Sequence, residues 1–216
     1  MKIILIGYPC SGKGTQAKFI SNKYKIPKIS TGDLLRSIIL KKTTKDTLEI
    51  KKKIDSGQLI PDNIIISIIQ KRISKKDCLN GYILDGFPRT INQAKIMEKN
   101  NLKIDYVIEL LIPKKSVLKR MLGRQIHEKS GRVYHKIYNP PKQKNKDDIT
   151  GEKLVTRKDD TKQIIQKRLN EYDFFKKKII NYYKSKHKLN KLKFIKINAK
   201  KKLFIIQKKI IKFLKK

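Results

Sequence analysis

Apolar residues fall along this chain in short runs that alternate with helical stripes. Ile3, Ile4, Leu5 and Ile6 run into Gly7-Tyr8-Pro9-Cys10-Ser11-Gly12-Lys13-Gly14-Thr15, after which Ala17, Ile20 and Tyr24 follow at helical spacing until Pro27. This is a strand, a turn-rich loop and a helix. Ile29-Ser30 reads as a second strand, and Thr31 or Asp33 can cap a helix with Arg36 in its first turns. A basic helical stretch spans Ile38 to Ile54 and closes at Asp55-Ser56-Gly57. A further helix runs from near Asp62 to about Lys75 with Ile64, Ile65, Ile68 and Ile69 on it. Tyr82-Ile83-Leu84 is a strand ending in Asp85, and Gly86 and Pro88 force a turn before Arg89.

The pattern continues with a strand from Tyr106 to Ile112 stopped by Pro113, and a helix near Ser116 to Leu122. From Gly123 to Asp160 the character changes: Gly131, Asn139-Pro140-Pro141 and Thr150-Gly151 mark a long insertion rich in turn formers, the usual signature of a functional lid. Helix returns over Thr161 to Tyr183, Phe194 to Ile197 reads as the last strand, and Leu203 to Leu214 as an amphipathic helix that packs on the sheet. Strands alternating with helices define an α/β fold.

The loop at 7 to 15 carries the first chemistry. Its glycines let the main chain approach a polyphosphate with N–H groups pointing inward, Lys13 adds a point charge, and the following helix presents its positive end. The general phosphate-loop pattern expects Ser or Thr directly after the lysine; here Gly14 intervenes before Thr15. Asp85, at the end of an apolar strand, supplies the carboxylate that such a site uses to hold magnesium, directly or through water. Arg89 follows at the carboxyl end of the same strand, where open α/β sheets bind ligands.

Charge and composition narrow the class. The chain has 216 residues, one domain or one with insertions, and 55 Lys+Arg against 18 Asp+Glu give a net charge of +37. Such a balance raises nucleic-acid binding, but the lysines spread along the whole chain and no aromatic stacking motif accompanies them. Compositional bias explains the charge without a specific nucleic-acid partner. Arginines are scarce beside lysine, and all except Arg72 fall in the segments assigned here to phosphate. Cys10 and Cys78 make neither a disulfide framework nor a metal set. No run approaches the about 18 apolar residues of a membrane span, and Met1-Lys2 leads directly into a strand, so a cytoplasmic, reducing location is expected.

Taken together, Gly7 to Thr15, Ser30 to Arg36, Asp85 to Gln93, Gly123-Arg124, Gly131 to His135 and Thr156-Arg157-Lys158-Asp159-Asp160 resemble the adenylate kinases of the long-lid bacterial type, from Met1 to about Tyr183. Gly14 before Thr15 is that family's usual loop, and Cys10 departs from it. The resemblance implies a three-layer phosphate-loop core, a five-stranded parallel sheet flanked by helices, from 1–30, 61–122 and 161–216. It adds a monophosphate-binding segment, 31–60, and a lid, 123–160.

The activity it implies is reversible transfer from MgATP to AMP giving two ADP, by a monomer serving nucleotide homeostasis. Another nucleoside monophosphate, or GTP as donor, is the alternative; the long lid and Gln93 favour the adenylate reading. The resemblance carries ATP to Cys10, Ser11, Gly12, Lys13, Gly14, Thr15, Arg124, Val133, Tyr134 and Lys201. It carries AMP to Thr31, Arg36, Gln58, Leu59, Ile60, Gly86, Phe87, Pro88, Arg89, Gln93, Arg157 and Arg168. The catalytic set is Lys13, Arg36, Asp85, Arg89, Arg124, Arg157 and Arg168, with magnesium at Asp85. Some relatives hold zinc in the lid through four cysteines; the matching His127, Ser130, Asp147 and Thr150 suit a hydrogen-bonded network, and no structural zinc is expected.

Overall fold

The computed structural model describes residues 1–41, 44–157 and 159–215; Lys42, Thr43, Lys158 and Lys216 lie outside the described residues. Seven strands are β1 (Lys2–Gly7), β2 (Lys28–Ser30), β3 (Tyr82–Asp85), β4 (Tyr106–Leu111), β5 (Arg124–Ile126), β6 (Val133–His135) and β7 (Lys193–Asn198). Eight α-helices are α1 (Lys13–Tyr24), α2 (Thr31–Lys41), α3 (Lys45–Asp55), α4 (Asp62–Ile73), α5 (Ile91–Lys99), α6 (Lys114–Leu122), α7 (Lys162–Lys188) and α8 (Leu203–Leu214).

Five strands form one parallel sheet in the order β2-β3-β1-β4-β7. The central strand, β1, is apolar at successive positions because both faces are covered. Ile3 and Leu5 enter one core cluster with Ala17, Ile20, Val117, Met121, Ile206 and Ile210, from α1, α6 and α8. Ile4 and Ile6 enter another with Ile65, Ile69, Ala94, Met97, Ile179 and Ile180, from α4, α5 and α7. The two-residue period of a strand thus builds a helix–sheet–helix sandwich.

Because the strands are parallel, the segments after β1, β2 and β3 all leave from one edge, and Asp85 pairs in register with both Leu5 and Ser30. Topology therefore gathers the phosphate loop, Thr31 and the Gly86–Arg89 turn. No helix among the described residues is long and apolar enough to cross a membrane.

Some elements differ from the sequence reading. The expected single helix over Ile38 to Ile54 is two, α2 and α3, with Lys42 and Thr43 outside the described residues. The new start is a capping box: Thr44 Oγ1 accepts from the Thr47 N–H at 3.3 Å, and Thr47 Oγ1 accepts from the Thr44 N–H at 2.8 Å. Helix α5 was not foreseen; it is begun by Thr90, whose hydroxyl accepts from the Gln93 N–H. The 123–160 insertion holds a small antiparallel pair, β5 with β6, joined to Val155 by an isolated bridge from Ile126.

Candidate active site

The phosphate loop is shaped by close packing and left-handed turns. A Cβ on Gly7 would stand 2.7 Å from Ser11 Oγ and 2.8 Å from the Leu110 carbonyl, while Gly12, at the N-cap of α1, has φ of +95°. A side chain would collide at Gly7 and strain the backbone at Gly12. Helix α1 has no side-chain cap and no acidic residue in its first turn, whereas Thr44, Thr90 and Thr161 cap α3, α5 and α7. Its first N–H groups remain open at the sheet edge, an arrangement that attracts anions. Lys13 Nζ donates to the Gly7 and Tyr8 carbonyls, each at 2.7 Å. Burial pushes its pKa down to about 8, an effect that Asp85 opposes and Arg89 reinforces. Cys10 adopts φ of +54°; burial pushes its thiol up in spite of Arg124 nearby, so it is held as an unreactive thiol. Asp85 lies beside the start of α1, its Oδ2 3.4 Å from a Cβ built on Gly14.

Around the ends of β2 and β3, Thr31 is buried and its hydroxyl donates to the Gly86 carbonyl at 3.1 Å. Arg89 Nε donates to the same carbonyl at 2.9 Å. The Gln93 side chain is engaged at both ends: Oε1 accepts from the Arg89 N–H at 2.7 Å, and Nε2 donates to Asp62 Oδ1 at 2.7 Å. Phe87 is buried in the core and precedes Pro88 through a cis peptide bond, so its ring takes no part in the site surface. Leu59 and Ile60 are drawn toward α7, where the Leu59 N–H donates to Glu171 Oε1 at 3.1 Å; Gln58 is exposed.

Arginines converge from three directions and are matched by aspartates. Arg36 donates to Asp33 at 2.5 Å and Arg168 to Asp159 at 2.5 Å. Arg124 grips the fully buried Asp160 carboxylate with two donors, Nε at 2.7 Å and the closer Nη2. Arg157 Nη2 reaches Asp33 at 3.6 Å, while its Nε is buried with no hydrogen-bond partner among the described residues. Burial, with Arg124 and Arg36 close by, pushes Arg157 down to about 10. Arg89 is likewise lowered, by burial and then by Arg168. Such crowding of cations is the arrangement that stabilises polyphosphate charge.

Three expected ATP contacts lie in the 123–160 segment and after β7. Tyr134 is buried with its hydroxyl on Asp147 at 2.9 Å, Val133 is exposed on β6, and Lys201 is exposed beyond the Ala199 turn. Arg132, counted with the phosphate-handling arginines on position alone, instead holds Asp147 with two donors at 2.7 and 2.6 Å inside the insertion. Arg72 pairs with Asp77 away from the site, as its exclusion foresaw. His127, Ser130, Asp147 and Thr150 do converge. His127 Nδ1 lies 2.7 Å from Ser130 Oγ, and Thr150 Oγ1 donates to Asp147 at 3.0 Å, the hydrogen-bonded network expected there.

Three contributors have no role assigned from the sequence. Lys28 Nζ lies 3.7 Å from Asp33 and 3.9 Å from Asp85, bridging two acids that the chain separates. Asp62 holds Gln93, and nothing in its helix-start position signals that. Arg120 Nη2 donates to the Ala199 carbonyl at 2.8 Å, and its Nη1 stands 3.9 Å from a Cβ built on Gly12. For Arg120 alone there was a signal, the scarcity of arginine.

A parallel sheet with a phosphate loop at its carboxyl edge, an acid on the neighbouring strand and converging arginines defines a phosphate-loop phosphotransferase. The adenylate kinase family model matches residues 5–188. The chain is 52% identical over 217 residues to the adenylate kinase of Buchnera aphidicola subsp. Acyrthosiphon pisum (strain Tuc7), covering all of both chains. It is 48% identical to that of Buchnera aphidicola subsp. Schizaphis graminum, again over all of both. It is 45% identical to that of Photorhabdus laumondii subsp. laumondii, over 99% of this chain and 100% of that one. The chain belongs to the adenylate kinase family.

Proposed function

We propose that this protein catalyses MgATP + AMP ⇌ 2 ADP. The observation that carries the reading is one cationic cluster in a chain of this family: Arg89 and Arg124 act on Lys13, Arg168 and Arg36 on Arg89, and Arg124 and Arg36 on Arg157. Lys13 and the loop N–H groups hold the triphosphate. Asp85, beside Gly14 at the start of α1, would meet the magnesium of MgATP; a lone carboxylate there suits an ion that keeps most of its hydration. Arg36 and Arg89 take the AMP phosphate, with Thr31, residues 58 to 60 and Gln93 toward its base. Arg124, Arg157 and Arg168 meet the transferring group.

The nucleophile is an AMP phosphate oxygen, largely ionised near neutral pH because the second pKa of a phosphate monoester is about 6. No general base is needed, so positioning and charge stabilisation do the catalysis. Water competes with AMP for the γ-phosphoryl group. Closure of 31–60 and of the 123–160 lid over both substrates completes the site and excludes it. The protein works as a cytoplasmic monomer, without structural zinc.

The test is product formation from MgATP with AMP, GMP, CMP and UMP in parallel, for the wild type and Lys13→Ala. Rapid ADP formation with AMP alone, lost in the variant, is the expected result. Transfer to another monophosphate would change the acceptor, and transfer to none would overturn the reading.

A further inference from the structure

Tyr8 is divided between two parts of the molecule. Its backbone belongs to the phosphate loop: the carbonyl accepts from Lys13 Nζ at 2.7 Å and from the Ser11 N–H at 3.1 Å. Its side chain turns away and is almost wholly buried against α7. There the ring lies 4.6 Å from that of Tyr172, centroid to centroid, with planes 52° apart. The Tyr8 hydroxyl donates to Asp173, which also pairs with Lys114 at the start of α6. Lys176 Nζ stands 5.1 Å from the Tyr8 ring centroid and 5.9 Å from that of Tyr172. The Tyr172 hydroxyl is buried with no hydrogen-bond partner among the described residues. The directional bond of this ring pair is therefore the one Tyr8 makes.

The same helix carries Arg168. Arg168, Tyr172 and Lys176 follow at four-residue spacing on α7, so they share one face on successive turns. One turn separates the guanidinium in the arginine cluster from the ring that receives Tyr8. An aromatic pair, a charge-assisted hydrogen bond and a cation over the ring face all act on one loop side chain. A residue that only filled core space would not need all three.

We propose that Tyr8 is a positioning residue: its side chain fixes the phosphate loop to α7 and thereby sets Lys13 relative to Arg168 for phosphoryl transfer. The inference rests on the roles given above to Lys13 and Arg168. Freeing the loop leaves every catalytic group present but misplaced, and misplacement of about 1 Å costs as much as about 100-fold in rate.

The experiment compares Tyr8→Ala, Tyr8→Phe, Asp173→Asn and the double variant Tyr8→Phe/Asp173→Asn with wild type. It reads kcat, KM for each substrate, MgATP affinity and the urea midpoint. The wild type alone tests the adenylate kinase reading. The variants are compared with it in whichever monophosphate it phosphorylates and in MgATP binding, so the two readings fail separately. Tyr8→Ala is expected to lower kcat about tenfold or more and to weaken MgATP binding, leaving KM for the monophosphate within about twofold. Tyr8→Phe, which deletes the hydrogen bond, lowers kcat about threefold or more; Asp173→Asn, which keeps an acceptor but loses the charge, lowers it less; and the double variant is no worse than Tyr8→Phe, because with the hydroxyl gone the acceptor's charge no longer acts on the ring. These two keep the ring packing, so they decide the matter even where Tyr8→Ala does not fold. The proposal is overturned if both retain kcat within about twofold, if their losses multiply in the double variant, or if the monophosphate KM rises as much as kcat falls.

Discussion

The Arg157 guanidinium lies 3.6 Å from the Asp33 carboxylate, an ion pair that joins the end of the 123–160 insertion to helix α2. Asp33 also holds Arg36 and stands near Lys28, so one exposed-edge carboxylate gathers cations from three segments. Among the described residues Arg157 makes no bidentate pair, unlike Arg124 with Asp160, and its Nε has no hydrogen-bond partner. Arg157→Ala is expected to lower kcat by about 10³-fold, ~4 kcal/mol of transition-state stabilisation, if it acts as arginine fingers do. Arg157→Lys should recover little, since an ammonium lacks the planar fork. Steady-state kinetics of both variants check this.

With the triphosphate role proposed for it, Lys13 is expected to make MgATP binding pH-dependent. Its pKa in the free protein is about 8, against an ordinary 10.5. Below pH 8 the ammonium is charged and meets the triphosphate directly; as pH rises through 8 the free protein loses that charge. A bound polyanion favours the protonated form, so binding above pH 8 takes up a proton. The dissociation constant for MgATP is expected to rise with pH above 8, with proton uptake seen by calorimetry in buffers of different ionisation enthalpy. Lys13→Ala should bind weakly and lack this alkaline limb.

If Gln93 meets AMP as proposed, Asp62 is expected to act on AMP binding at a distance. It orients the buried Gln93 amide, whose other end accepts from the Arg89 N–H. Asp62→Ala is expected to raise KM for AMP about tenfold, near the ~1.4 kcal/mol value of one such hydrogen bond, with kcat little changed. An unchanged KM would show that Gln93 keeps its pose without the acid.

The insertion depends on Asp147, which accepts from Arg132, Tyr134 and Thr150 while the Arg132 hydrogen bond holds its carboxyl well below the usual range. Asp147→Ala removes the centre of that network. Limited proteolysis should then cut between 123 and 160 faster than in the wild type, and the thermal midpoint should fall. Deleting the insertion outright is expected to raise ATP hydrolysis relative to transfer and to abolish AMP phosphorylation. In the intact protein, elemental analysis should find no stoichiometric zinc; one equivalent per chain would refute the hydrogen-bonded reading of that site.

The features legible along the chain are local. The run Ile3 to Ile6 ahead of a glycine-rich loop specifies β1 and the phosphate site because apolar continuity, glycine freedom and helix ends are properties of neighbouring residues. The same holds for Asp85 at the end of its strand and for the turn made by Gly86 and Pro88. The scarcity of arginine marked seven of the eight, all but Arg72, and so took in Arg132 as well as Arg36, Arg89, Arg124, Arg157 and Arg168. What pairs those groups across the chain comes from the fold. That Lys28 bridges Asp33 and Asp85, that Arg132 turns inward to Asp147 and that Asp62 orients Gln93 are contacts between segments. They depend on strand order and on burial, which hydropathy does not encode. Tyr8 shows the division within one residue: its carbonyl is set by the loop beside it, but its ring finds Tyr172 and Asp173 only because the folded sheet brings α7 to the loop, far along the chain.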